Sequence, residues 1–139
     1  VETWFSGGVD SQNRTQVLRL SHGRTMGEVL GRMQDRASLC PSAPRLVLYS
    51  AHDWTIMPLM MMLNEQLPVE WPSYCGDIRF ELYRHKTDPA KHYVKVDYTG
   101  GTHGAGFDWA TTRTLKPDGC GGQELCELTQ FASNLSKFV

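Results

Sequence analysis

The sequence has no block of like charge: 14 basic and 15 acidic residues leave a formal net charge of −1 over 139 residues. That balance argues against a nucleic-acid or membrane-surface binder, which meets a phosphate backbone or anionic lipid with a basic face. No apolar run is long enough to cross a bilayer, and no hydrophobic leader opens the chain. It begins at Val1 without a methionine, so a mature product or a fragment is expected. The four cysteines, Cys40, Cys75, Cys120 and Cys126, form no CxxC and no zinc-ligand spacing. His85, His92 and His103 fall in or beside loops at irregular spacing, so neither a metal site nor a cofactor is expected. Ser50 and Ser73 lack the Gly-x-Ser-x-Gly elbow of serine hydrolases. There is no internal repeat and no low-complexity tract.

What is present fits one ordinary globular domain, with 40% hydrophobic and 21% charged residues. Residues 6–14, rich in Gly, Ser, Asn and Asp, predict a loop. Thr25-Met26-Gly27-Glu28 reads as a capping box, and Met26, Val29, Leu30, Met33 and Ala37 then recur at helical spacing, which predicts a helix over 26–37. Cys40 to Pro44 ends that helix and leads into Arg45-Leu46-Val47-Leu48-Tyr49-Ser50, an apolar run that predicts a strand buried on both faces of a parallel sheet. A helix is expected from near Ile56 or Met57 to about Asn64, because Pro58 cannot lie deep inside one. Leu67 to Pro72 reads as loop. Ile78, Phe80 and Leu82 alternate with polar partners, as do Val94, Val96 and Tyr98, and the polar link between them predicts an antiparallel hairpin. Residues 99–122 are Gly- and Thr-rich without clear period. From Glu124, the positions Leu125, Leu128, Ala132, Leu135 and Val139 predict a closing helix.

The chemistry centres on Ala51-His52-Asp53-Trp54. An imidazole beside a carboxylate, set between a buried strand and a following helix, stands where open α/β sheets gather catalytic groups. The start of that helix offers N–H groups to an anion. One member of the pair can bind phosphate while the other protonates a departing oxygen. The plain alternative is a histidine hydrogen-bonded at a strand end for structural reasons. His22-Gly23-Arg24 looks like a phosphate grip, since a guanidinium binds phosphate bidentately. With no strand leading in and a capped helix following, it reads as surface loop. Trp71 and Trp109 read as packing, whereas Trp54, next to the pair, is placed to line a pocket. Cys120 and Cys126 flank Gly121-Gly122 and suit a local disulfide. Cys40 and Cys75 are left to pair with each other or with residues outside the chain. Asn13-Arg14-Thr15 and Asn134-Leu135-Ser136 are glycosylation sequons. With an even cysteine count, these point to an oxidising, secretory compartment; four buried free thiols in a cytosolic protein is the alternative.

Leu48-Tyr49-Ser50-Ala51-His52-Asp53-x-Thr55 resembles the second catalytic motif of the histidine acid phosphatases, branch 2 of the histidine phosphatase superfamily. The likeness is collinear over most of 25–139. It takes in Gly27 to Met33, Pro72-Ser73-Tyr74-Cys75, Phe80-Glu81-Leu82-Tyr83, and the Gly-Cys, Cys and Glu-Leu pattern from Gly119 to Leu128. The resemblance implies the C-terminal part of an α/β sandwich: a mostly parallel central sheet flanked by helices, a β-hairpin and a closing C-terminal helix. The chain is then part of one domain, with 1–24 a loop-rich lead-in and 25–139 the region of resemblance. The implied activity is an acid phosphatase hydrolysing phosphomonoesters through a phosphohistidine. In the family, the nucleophilic histidine and two phosphate-gripping arginines come from an Arg-His-Gly-x-Arg-x-Pro motif near the N-terminus, which this chain does not contain. Two roles carry over by position, His52 as phosphate ligand and Asp53 as proton donor to the leaving oxygen. Trp54 departs from the small or polar residue usual there, and the Gly/Thr segment 99–114 departs as well. The chain alone is expected to be inactive. Other expectations are a small-molecule phosphomonoester as partner, a homodimer from the resemblance, and a secreted, lysosomal or membrane-anchored location. The alternatives are a phytase-like or lysophospholipid phosphatase of the same superfamily, or a non-catalytic domain that kept the fold.

Overall fold

A computed structural model describes residues 11–63, 71–100 and 112–139. In chain order these form α1 (Ser11–Ala37), α2 (Asp53–Leu63), β1 (Asp77–Arg84), β2 (His92–Thr99), β3 (Arg113–Leu115), β4 (Leu125–Glu127) and α3 (Leu128–Leu135). The fold is mixed α/β, with three helices and one four-stranded sheet among the described residues.

The hairpin follows from the alternation of its side chains. β1 and β2 run antiparallel with Ile78 opposite Tyr98, Phe80 opposite Val96 and Leu82 opposite Val94, so all six lie on one face. β3 and β4 share the other edge of β2 and are also antiparallel to it, placing Leu115 opposite Val96 and Cys126 opposite Val94. That face carries Val94, Val96, Tyr98, Leu115 and Cys126 into the core, joined there by Phe131, Leu135 and Phe138 from the end of the chain. Every residue from Met57 to Leu63 in α2 is buried, as expected of a helix apolar all round. A disulfide joins Cys120 to Cys126, as the sequence suggests. Close by, the Asp118 N–H donates to the Leu63 carbonyl (2.7 Å) and fastens the end of α2 to the turn before β4.

Four local expectations are corrected. Residues 11–14 and the rest of the lead-in up to 24 are helical, so α1 starts at Ser11 and Thr25 lies mid-helix instead of at a cap. The reason is a stripe at Leu18, His22, Met26, Leu30, Met33 and Ala37, which continues through Gly23 at i,i+4 spacing, with Leu18 and Met26 fully buried. Gly23 survives inside the helix because a Cβ there would run into the backbone of Phe138. α2 starts at Asp53, ahead of Ile56, since the hydrogen bond that Pro58 removes is the one to Trp54 in the first turn. Leu125 lies in β4 and is half exposed, so the closing helix begins only at Leu128 and ends before Val139.

The fourth correction concerns 45–50. These residues hold no regular secondary structure, pair with no strand among the described residues, and leave Leu46 and Leu48 exposed (74% and 85%). A strand exists only as one side of a ladder, and every strand among the described residues is antiparallel and engaged elsewhere. The apolar run is therefore present without the parallel neighbours it is patterned for. Expectations for 6–10, the 67–70 part of the loop, His103, Trp109 and most of the 99–114 segment lie outside the described residues.

Candidate active site

His52 and Asp53 stand together at the mouth of α2. The His52 carbonyl accepts the N–H groups of Thr55 (2.9 Å) and Ile56 (3.3 Å), so His52 is the residue from which the helix starts. Asp53 is its first helical residue, and Oδ1 accepts the N–H of Trp54 at 2.8 Å. A carboxylate in a first turn is favoured by the helix dipole, and this bond fixes its orientation. His52 is exposed and Asp53 half-buried, so both reach solvent.

Trp54 is 46% exposed and meets Trp71 nearly at right angles, the ring centroids 5.5 Å apart and the planes at 87°. Trp71 packs against the core and is followed by the buried Pro72. The structure thus sets Trp71, which the sequence suggests as packing alone, beside the residue that follows Asp53.

The segment leading into the pair is held at one point. Arg32, on α1, donates to Glu28 (Nη2 2.7 Å, Nε 3.1 Å) and to the Tyr49 hydroxyl (3.1 Å), and that hydroxyl donates to Glu28 Oε1 (3.2 Å). The bond from Arg32, followed by that from Tyr49, holds the Glu28 carboxyl below its usual range. The i,i+4 spacing of Glu28 and Arg32 on α1 is a signal that could have flagged that pair, but nothing in the pattern links it to Tyr49, 17 residues beyond Arg32.

The remaining singled-out residues lie apart from this site. His22, Gly23 and Arg24 are inside α1, contrary to the loop expected there, and partial burial pushes the His22 imidazole below its ordinary value. His85 closes the hairpin turn, where Nδ1 accepts the Asp88 N–H at 3.1 Å. His92 opens β2. Among the described residues, no group of three or more His, Cys, Asp or Glu side chains is placed to hold a metal ion. Ser73 is buried and Ser50 exposed. Cys40 and Cys75 are free thiols. The Ser42 hydroxyl beside Cys40 Sγ (3.3 Å) pulls that thiol below its usual range. Asn13 lies exposed in the first turn of α1, and the Asn134 amide donates to the Asp118 carbonyl at 3.0 Å. A hollow of about 380 Å³ lies at the far end of α2, lined by Met62, Leu63, Asp118, Phe131, Asn134 and Lys137 among others. At ~1.5 Å rise per residue, that is roughly 14 Å along the helix from Asp53.

Comparison with known proteins adds the wider frame. Residues 9–99 match the model of the histidine phosphatase superfamily (branch 2). Lysophosphatidic acid phosphatase type 6 of Bos taurus is 33% identical over 100 residues, which is 71% of this chain and 20% of the relative. Its Homo sapiens counterpart is 30% identical over 105 residues, 76% of this chain and 21% of the relative. 2-Phosphoxylose phosphatase 1 of Rattus norvegicus is 33% identical over 75 residues, 54% of this chain and 15% of the relative. The chain spans about a fifth of the length of the first of these relatives. No solved structure matches it.

Proposed function

The chain belongs to branch 2 of the histidine phosphatase superfamily, and from that premise we propose that it supplies the proton-donor half of an acid phosphatase acting on phosphomonoesters. The observation that carries this reading is the placement of His52 and Asp53 side by side at the start of α2, both open to solvent. In this reading the nucleophilic imidazole and the phosphate-gripping arginines come from an Arg-His-Gly-x-Arg-x-Pro motif of the longer protein. The nucleophile's nitrogen attacks phosphorus and the P–O bond to the alcohol breaks. Asp53 gives its proton to the departing oxygen, which leaves as the free alcohol. Water then attacks the phosphohistidine and loses a proton to the Asp53 carboxylate. The P–N bond breaks, and inorganic phosphate is released. His52 donates to a phosphoryl oxygen and stabilises the charge that grows there. The 139-residue chain alone is inactive in this account, because neither His52 nor Asp53 is the nucleophile.

The relatives are named as phosphatases of lysophosphatidic acid and of 2-phosphoxylose, both phosphomonoesters. The Cys120–Cys126 disulfide supports a secretory-pathway location. No helix among the described residues is long and apolar enough to cross a membrane.

The test uses the longer protein that carries this chain. Asp53→Ala should lower kcat by about 10²–10⁴-fold, the usual worth of a positioned acid. His52→Ala should raise KM and lower kcat together. Normal rates in both variants would refute the assignment.

A further inference from the structure

We propose that Trp54 and Trp71 form an aromatic wall on the leaving-group side of the site, and that it selects phosphomonoesters whose alcohol is apolar. This rests on Asp53 being the proton donor, as set out above. The leaving oxygen must come to the acid that protonates it, so the body of the alcohol lies on the Asp53 side of the phosphate. The next residue in the chain is Trp54, and its backbone N–H holds Asp53 Oδ1 at 2.8 Å. The carboxylate is thus held against the backbone of the residue that carries the indole. About half of the Trp54 side chain is open, at 46% exposure.

Trp71 meets it at 87° with centroids 5.5 Å apart. A perpendicular pair makes an angled apolar surface against which an aromatic or alkyl group packs. Trp71 is backed by the core and by the buried Pro72, so the corner is braced. An indole offers a single N–H donor and no acceptor, so these walls hold no partner for a hydroxyl proton. A polar alcohol would bury hydroxyls there without partners, which is costly, whereas an apolar one loses only water contacts.

The experiment uses the longer protein with substrates whose alcohols have similar basicity: benzyl phosphate, hexyl phosphate and glycerol 1-phosphate. Trp54→Ala should lower kcat/KM for benzyl phosphate about tenfold or more, while glycerol 1-phosphate changes less than about threefold. Trp54→Phe should retain most of the benzyl activity. A parallel loss on hexyl phosphate shows a general apolar wall, and its absence shows one that is selective for rings. Equal losses on benzyl and glycerol phosphates, or no loss on either, would overturn the proposal. Asp53→Asn separates the two readings, since it should depress all three substrates alike. If it leaves them unchanged, the assignment of the acid fails, and the wall is judged on binding. Calorimetry with benzylphosphonate and methylphosphonate then supports it if an at least tenfold preference for the benzyl compound is lost in Trp54→Ala. No preference overturns it.

Discussion

Three glycines on α1 should answer an alanine substitution with three different signs. In an exposed helix interior, Gly→Ala stabilises by about 0.5–1 kcal/mol, because alanine restricts the unfolded chain more. At Gly31 an added Cβ would meet nothing within 4 Å, so this gain should appear in full. At Gly27 the new methyl would lie 2.9 Å from Val139 Cγ1, the tip of a half-exposed side chain that can turn aside, and the net effect should be near zero. At Gly23 it would overlap the carbonyl oxygen of Phe138. That backbone cannot yield cheaply: the Phe138 ring is fully buried and its N–H bonds the Leu135 carbonyl at 2.9 Å. Overpacking of this kind costs about 1–3 kcal/mol. After the alanine gain, a net loss of about 1–2 kcal/mol remains. Urea unfolding followed by far-UV circular dichroism reads the series. With m of about 1–3 kcal/mol/M, the Gly23→Ala midpoint should fall by roughly 0.3–2 M. If Gly23→Ala were as stabilising as Gly31→Ala, the close approach of α1 to the chain's end would be refuted.

Two further outcomes follow from charges and thiols. Burial pushes the Asp97 carboxyl up, but the Lys95 ammonium (2.7 Å) and the Thr114 hydroxyl (2.7 Å) outweigh it and hold the group below its usual value. Its stabilising effect is therefore present above the unfolded value, near pH ~3.9, and lost as pH falls through the lower folded value. Asp97→Asn should cost about 1–3 kcal/mol at neutral pH and flatten the acid limb of the stability profile below about pH 5; an unchanged limb would show the network to be idle. Ser42→Ala should slow alkylation of Cys40 by iodoacetamide near neutral pH, because the hydroxyl that favours its thiolate is gone. Equal rates in both proteins, followed by mass spectrometry, would contradict this.

The hairpin was legible because strand periodicity and a polar link are local signals, and Ile78, Phe80 and Leu82 face the core with Val94, Val96 and Tyr98 as their alternation implies. The Cys120–Cys126 disulfide was legible for the same reason. α1 was half legible. Gly23 carries a breaker's propensity that the buried stripe on either side outweighs, and the need for a glycine there becomes visible only with the chain's end packed over it. The run 45–50 was misread as a paired strand. Its composition is that of an interior strand, but composition cannot supply neighbours, and among the described residues there are none. At the site, His52 and Asp53 were legible as a pair bordering a helix. Their companion Trp71 was not, because the contact spans 17 residues of sequence and no periodicity links the two rings.

The role of Asp53 is tested most directly by varying the leaving group. In the longer protein, Asp53→Asn should slow hydrolysis of an alkyl phosphate by at least about a hundredfold, since an alkoxide cannot depart without a proton. With 2,4-dinitrophenyl phosphate, whose phenolate leaves unaided, the same variant should lose far less. Losses of equal size on both substrates, or none on either, would contradict the account.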